Sequence, residues 1–553
     1  MGNSMNPTIH ASPLLEEIPG TAPVSVVSSQ EEIQKSYTAY LTDESRLAGG
    51  KADVLVFPNS EKQVVNALVE ANASKTPVTV SAGRTGIVGG AVPKGGVLLS
   101  LESMNRFLGA RWDGERESWC VRVQPGLSLD GLEQILEKRD FKDVLAVLEG
   151  KSREETQKFS LESDQWFYPV DPTEKSAHLG GTIATNASGG RSFKYGPTRN
   201  YVSHLRVVLA DGTVLSMKRG ECVSGAEGFV IQKPAGSLFL PIPRHVWPEV
   251  KNVAGYFRQS PMDIVDYFIG SEGTLGVVTE IELILRKRPA FVLSMVAFFP
   301  SEADAVRFVI LAREGRSGPK RSVDPAALEY FDAFSLGLLT QKRKQEGSSS
   351  SIPPFPESAG AAVYFEEETK EEDLDRLLLE YETMLTGCHA SSDQAWCGMD
   401  RKELGKMAVF RHALPEVINT IIGQRQKQFP RLHKIGTDFV VPDRHLEDML
   451  RFYRENLDKA GFEYAVFGHI GENHLHVNIL PSDENALDRA KVLYQDFAVK
   501  AVSFGGTVSG EHGIGKIKKA LLSCMYSEKD ILEMKRVKQA LDPGGVLNRG
   551  NLW

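Results

Sequence analysis

From about position 474 the stretch "HLHVNIL" alternates strictly, sending His474, His476 and Asn478 to one side and Leu475, Val477 and Ile479 to the other. A period of two predicts a strand with a polar face and a core face. A second pattern opens at Lys51. There "DVLVFP" reads as a strand, "EKQVVNALVEANAS" as an amphipathic helix and "PVTVS" as the next strand, so an α/β unit begins. Strands and turns then dominate to about residue 288, broken by the charged helical stretch "GLEQILEKRDFKDVLAVLEGKSREETQKF", which is expected as a surface insertion. At "RPAFVLSMVAFFP" a strand followed by the helical "SEADAVRFVILARE" marks a new α+β domain. The Ser, Gly and Pro content of "KRKQEGSSSSIPPFPESAG" predicts a mobile loop of weak order. Near the end, the helical "ENALDRAKVLYQDFAVKAV" precedes two glycine-rich stretches, "GGTVSGEHGIGKIKKALL" and "LDPGGVLNRGNLW".

At 553 residues the chain is long enough for two or three domains. The formal charge is −8 with no long Lys/Arg run, so a nucleic-acid partner has no electrostatic footprint. The first twenty residues lack a basic start followed by an apolar core, and no apolar run approaches a bilayer span, which predicts a cytoplasmic protein. Asn6 stands where a myristoylation signal needs Ser or Thr. Five scattered cysteines without a CxxC pair suggest reduced thiols rather than a zinc or iron–sulfur site. Any electrons leaving this protein are therefore expected to pass to a separate component.

Three polar glycine loops follow strands. The first, within "PVTVSAGRTGIVGGAVPKGGVLLSLESMN", is neither a G-x-G-x-x-G nor a P-loop. Such a loop either presents backbone N–H groups to a pyrophosphate or forms a long glycine hairpin with no ligand. The second is "YPVDPTEKSAHLGGTIATNASGGRSFKYGPTRNYV" and the third "FIGSEGTLGVVTEIEL". Three such loops over about two hundred residues suit one long ligand, and a two-part dinucleotide such as FAD better than a mononucleotide.

These loops, with "FGHIGENHLHVNI", "GGTVSGEHGIGKIK" and "LDPGGVLNRGNL", resemble in order the FAD-linked 2-hydroxyacid dehydrogenases, the D-lactate dehydrogenase, glycolate oxidase subunit and D-2-hydroxyglutarate dehydrogenase group of the vanillyl-alcohol oxidase fold superfamily. The resemblance runs from about residue 50 to the C-terminus. It implies an α+β protein: a two-part FAD-binding domain (49–288), an α+β cap carrying substrate (289–500) and a C-terminal segment returning to the flavin (501–553), preceded by what the residues themselves suggest is an N-terminal tail and helix (1–48).

Carried over, Gly83, Thr85, Gly86, Gly89 and Gly90 would cradle the FAD pyrophosphate. Asp171, Pro172, Gly180, Gly181, Asn186, Gly189 and Gly190 would follow the cofactor, with Glu272, Gly273, Leu275, Gly276, Val278 and Asn548 closing around it. No His lies between Ser81 and Gly96, which favours non-covalent FAD. Two positions depart from the family. Arg84 replaces a small residue and either pairs with a phosphate or points to solvent, and Arg549 replaces the Pro of the usual Asn-Pro-Gly ending.

His469 and His476 stand seven apart across a turn that Gly471 is expected to sharpen, so both rings can converge. Spacing alone leaves metal ligands and satisfied structural histidines both open. The dehydrogenases resembled here use a His, His, Glu set, which implies that His469, His476 and Glu511 bind a divalent cation, with Zn and Mn as candidates. His512 must point away from Glu511 if the segment is extended, and the family places its base at this position. Arg411 resembles the family's carboxylate-binding Arg, Lys434 lies two residues upstream of a lysine found in some relatives, and Asn478 completes the polar strand face. His474 stands where the family has Asn, either a substrate contact or a spare imidazole near the metal.

The implied reaction is oxidation of a D-2-hydroxy acid to the 2-oxo acid with hydride passing to flavin N5. A quinone, cytochrome, electron-transferring flavoprotein or iron–sulfur subunit would accept the electrons, with peripheral membrane attachment and a homodimer as candidate settings. One alternative is an alkyl-dihydroxyacetone-phosphate synthase, although those carry three histidines before Gly where this chain has "EHGIGK". Another is a non-catalytic FAD-binding electron-transfer subunit, which the presence of Glu511 and His512 disfavours.

Overall fold

A computed structural model describes residues 6–15, 22–225, 227–318 and 321–553. The first α/β unit forms where its pattern predicts: strand Val54–Phe57, helix Glu61–Ser74 and strand Val78–Ser81. The Ser60 hydroxyl accepts from the Gln63 amide to start the helix, and Lys75 ends it in a left-handed conformation. A four-stranded sheet results, in the order Ser25–Val27, Val54–Phe57, Val97–Ser100, Val78–Ser81, parallel except for its first strand.

Beside it stands a five-stranded antiparallel sheet, in the order Val214–Lys218, Val202–Val208, Val277–Ile284, Ser118–Val123, Phe107–Asp113. A buried ion pair joins the two parts. Arg206 donates through Nε and Nη2 to the two oxygens of Glu61 at 2.9 and 2.8 Å, and Thr279 Oγ1 donates to the same carboxylate at 2.8 Å. Fork-to-fork geometry is the strong form of this interaction.

The cap is built on a seven-stranded antiparallel sheet, ordered Trp396–Gly398, Phe291–Phe299, Ala361–Thr369, Pro325–Asp332, Tyr464–His469, His474–Ile479, Ile435–Gly436. Its strands are buried on both faces. Met295, Ala297 and Phe299 pack with Phe308 and Tyr381 of helices Glu302–Ser317 and Leu374–Gly387. Val296 and Phe298 pack on the other side with Leu339 and Phe410 of helices Ala333–Glu346 and Arg401–Gln426. After helix Glu484–Ser503 the chain leaves the cap, pairing Thr507 with Val440 and then Leu547 with Val78 of the first sheet. The C-terminal segment thus stitches the cap to the α/β unit.

Thr8–His10 pairs in parallel with strand Gly228–Lys233. Two local expectations change. The insertion forms helices Leu129–Lys138, Lys142–Val147 and Gly150–Ser160, and it is more than a surface feature, since Phe159 is fully buried and Thr156 Oγ1 accepts from the Ala110 amide at 3.0 Å. The stretch expected as a weakly ordered loop begins as the end of helix Ala333–Glu346, and its apolar side chains dock. Ile352 is buried and Phe355 stacks on Phe298 at 5.2 Å. Among the described residues no helix is long and apolar enough to cross a membrane.

Candidate active site

The polar strand face lies in a hairpin. Strands Tyr464–His469 and His474–Ile479 pair antiparallel with His469 opposite His474 and Phe467 opposite His476. Leu475, Val477 and Ile479 are buried, as the alternation predicted. Each such side chain contributes roughly 1.5–3 kcal/mol by burial, which holds the histidine face in register. The turn is made by Asn473 at φ 56°, not by Gly471, which has no positive φ and instead makes room for the Phe193 ring. Gly468, at φ 117°, lets the His476 ring lie close, since a Cβ there would stand 2.8 Å from His476 Cδ2.

Three imidazoles crowd together, with centroids 4.6–5.5 Å apart. Each has one nitrogen committed to an acceptor. His469 Nδ1 donates to Glu329 Oε1 at 2.7 Å, His476 Nδ1 to the Thr437 carbonyl at 3.2 Å, and His474 Nε2 to Asp438 Oδ1 at 2.9 Å. One donor atom from each of His469, His474, His476 and Glu511 lies within 4.8 Å of the others. Glu511 Oε2 stands 3.4 Å from His469 Nε2, while its Oε1 accepts from Ser188 Oγ at 2.9 Å and from Lys251 Nζ. Imidazole nitrogens and a carboxylate, oriented by outer carboxylates at Glu329 and Asp438, are a donor set that fits a divalent cation.

Electrostatics reflect the crowding. Burial disfavours the His469 imidazolium, but Glu329 and Glu511 outweigh it and lift its pKa to about 10. Burial, helped by His474 and His469, holds His476 well below the usual histidine range. Burial works to raise Glu511, yet Lys251 and His469 keep its carboxyl well below the ordinary carboxylate value.

His512 stacks on the far side of His476, with centroids 5.7 Å apart and planes 17° from parallel. Its Nδ1 stands 3.4 Å from Asp438 Oδ2, which leaves Nε2 free to accept a proton. Burial drives its pKa down to about 4 against the pull of Asp438, so the ring is neutral at ordinary pH. Asp438 also accepts from the backbone amides of Glu511 and His512, both at 3.1 Å, and thereby sets the two side chains apart.

Arg411 projects from helix Arg401–Gln426 toward the second glycine loop. A Cβ at Gly190 would stand 2.0 Å from Arg411 Nη2, so that glycine is what lets cap and loop meet. Arg411 Nη2 stands 3.4 Å from Glu329 Oε1, the oxygen that holds His469, and its buried Nε has no partner. Lys434 is half-buried with no hydrogen-bond or ion-pair partner among the described residues, and burial lowers its pKa. Asn478 is buried opposite Gly436, so its strand face continues that of His474 and His476.

The three glycine loops converge. A Cβ at Gly83 would meet the His178 amide at 3.1 Å, and Gly181 lies against Ala82. The Glu272 carboxylate accepts from the Ile514 and Gly515 amides, both at 2.7 Å, and Asn548 bridges Glu272 O and the Val80 amide. Gly89 and Gly90 offer their carbonyls to Lys516 Nζ. Where the first two loops meet, Ser81 Oγ and His178 Nδ1 are buried without partners, and a Cβ at Gly86 would meet open space. Orphaned polar atoms beside an open glycine loop fit a bound polar ligand such as a dinucleotide.

Other predicted positions are engaged by the protein. Arg84 lies over the Tyr40 ring at 4.2 Å and 3.6 Å from Glu102. Leu275 and Val278 pack into the core, Gly276 lies against Val207, and Asn186 caps helix Leu179–Thr185 and accepts from the Arg199 amide. Asp171 pairs with Lys175 and its carbonyl lies against Gly189.

Sequence reasoning missed Glu329, Asp438 and Lys251. The first two carried only a faint signal, as acids within the apolar stretches "PAALEYFD" and "TDFVVP". A buried carboxylate there needs cationic or N–H partners. Lys251, which bonds Ser192, Glu472 and Glu511, carried none that spacing could find.

Residues 52–150 and 159–218 match an FAD binding domain family, and residues 288–552 match the C-terminal domain of the FAD linked oxidases. The chain is 28% identical to a D-lactate dehydrogenase of Anaerostipes hadrus, covering 98% of this chain and 97% of that one. It is 27% identical to a glycolate oxidase subunit of Bacillus subtilis, covering 91% and 89%, and 26% identical to a D-2-hydroxyglutarate dehydrogenase of Stutzerimonas stutzeri, covering 94% of each. Among solved structures, an alkyldihydroxyacetonephosphate synthase superposes with a TM-score of 0.59 at 16% identity, covering 98% of this chain and 88% of the other, a likeness of fold.

Proposed function

The chain belongs to the FAD-linked oxidases, carrying both their FAD-binding and their C-terminal domains, and on that premise we propose that it oxidises a D-2-hydroxy acid, of the lactate, glycolate or 2-hydroxyglutarate kind, to the 2-oxo acid. The observation that carries this reading is the meeting of His469, His476, Glu511 and His512 beside Arg411, at the contact between the cap and the second glycine loop. When bound, FAD supplies a hydride acceptor and a divalent cation, Zn or Mn, supplies Lewis acidity toward the hydroxyl and carboxylate oxygens.

The chain's own residues do the rest. Gly83, Gly86, Gly89 and Gly90, with the second and third loops, hold the FAD without a covalent bond. His469, His476 and Glu511 hold the cation, oriented by Glu329, Thr437 and Lys251. Arg411, with an unpaired Nε, takes the substrate carboxylate, and Lys434 and Asn478 line the continuation of that face. His512 accepts the hydroxyl proton at Nε2 while Asp438 at its Nδ1 steadies the imidazolium that forms. Electrons then pass to a separate non-nicotinamide acceptor: a quinone, a cytochrome, an electron-transferring flavoprotein or an iron–sulfur subunit. A cytoplasmic protein, peripheral to a membrane where the acceptor is a quinone, is the setting this reading implies.

A steady-state assay with an artificial dye as electron acceptor tests it. Dye reduction with a D-2-hydroxy acid and accumulation of the 2-oxo acid, with NAD⁺ unable to replace the dye, is expected. Activity only with NAD⁺ contradicts the reading.

A further inference from the structure

We propose that His474 is a fourth protein ligand, so that the cation is held by three imidazoles and one carboxylate; this rests on the cation reading above. The His474 side chain is fully buried, yet its Nδ1 has no hydrogen-bond partner. An unpaired buried acceptor is costly, on the order of 1–3 kcal/mol, and asks for a ligand.

The tautomer follows from Asp438. That carboxylate is fully buried and receives Lys518 Nζ at 2.7 Å, Ser509 Oγ at 2.6 Å and the Glu511 and His512 amides. Surrounded by donors, it acts as an acceptor, so His474 Nε2 carries the hydrogen in their 2.9 Å bond. The Nδ1 lone pair is therefore exposed toward the cluster, 3.9 Å from Glu511 Oε1. The ring lies close against Gly510, where a Cβ would stand 3.0 Å from His474 Nε2. The arrangement repeats what Glu329 does for His469, an outer carboxylate fixing one nitrogen so that the other can bind metal.

Two consequences follow. Three imidazoles and a carboxylate favour transition cations over Mg²⁺ or Ca²⁺, which prefer oxygen ligands. In a six-coordinate site only two positions stay open, enough for the hydroxyl and one carboxylate oxygen of a 2-hydroxy acid.

Metal-stripped, FAD-loaded protein titrated with Zn²⁺ by calorimetry, followed by Zn-edge X-ray absorption, is the test. The wild type is expected to bind one Zn²⁺ with three imidazoles around it. His474→Asn is expected to bind it about ten- to a hundredfold more weakly, the range in which even outer residues of metal sites act, with two imidazoles and unchanged flavin absorbance. His474→Gln serves the same purpose if the first variant does not fold. Equal affinity and an equal imidazole count in the variant overturn the fourth ligand and leave the three-ligand site standing. A wild type that binds Zn²⁺ no better than His476→Ala overturns the cation reading itself, and this proposal with it.

Discussion

At the scale of single residues, the histidines divide by what holds their nitrogens. His512 is the one whose free Nε2 lies outside the cluster of donor atoms and whose other nitrogen faces Asp438. His512→Asn keeps the size and loses the base. The variant is expected to bind FAD normally and to lose at least about a hundredfold in the rate of flavin reduction, the lower range of general-base catalysis; stopped-flow absorbance measures it. Full-rate reduction in the variant removes His512 from the chemistry. Most of this site was legible in the sequence because its side chains are local: His469, His474 and His476 share one hairpin, and Glu511 and His512 are neighbours. Glu329 and Asp438 were not, because a partner that comes from a distant segment leaves no spacing to the histidines to read. Arg84 shows the converse. Its sequence position left a phosphate or solvent open, and the fold sets it against an aromatic ring and an acid.

Elements were read well where periodicity ran long and poorly where a few apolar residues decide. Helix Glu61–Ser74 and strand His474–Ile479 lie where their patterns placed them. In the Ser- and Pro-rich stretch, composition hides the two side chains, Ile352 and Phe355, that pin it to the cap core. Glu61 is an element-level fastener, charged and buried at the start of its helix. Glu61→Gln leaves Arg206 buried and uncompensated and is expected to cost about 3–5 kcal/mol, seen as a lowered melting temperature. An unchanged melting temperature contradicts that role.

His245, buried against Tyr526 with centroids 4.9 Å apart, has its pKa lowered to about 4 by burial, against the opposing pull of Asp530 and Glu533. Above pH ~6.5 the ring is neutral in both folded and unfolded chains, so it adds no pH dependence. As pH falls from about 6.5 toward 4, the unfolded chain takes up the proton and the folded one does not, so stability drops by up to about 1.4 kcal/mol per pH unit. His245→Phe is expected to flatten the fall in melting temperature between pH ~6.5 and ~5; a slope equal to the wild type's contradicts it.

At the scale of the whole molecule, the C-terminal segment is what makes one site from separate parts. It pairs with Val440 in the cap and Val78 in the first sheet, carries Glu511 and His512 between them, and ties Gly515 and Lys516 to the third and first glycine loops. The order of the glycine motifs was readable along the chain, but this closure was not, since it depends on pairings across more than 400 residues. The central claim is that the assembled centre passes hydride from a D-2-hydroxy acid to bound flavin. Its most direct test is anaerobic titration of the purified, metal-replete protein with the D and L forms of lactate and 2-hydroxyglutarate, and with glycolate, following the oxidised flavin band. Bleaching by glycolate or by the D form of at least one of the other acids is expected, with the matching L form inert. A flavin that stays oxidised with every acid, or that is bleached by the L forms alone, contradicts it.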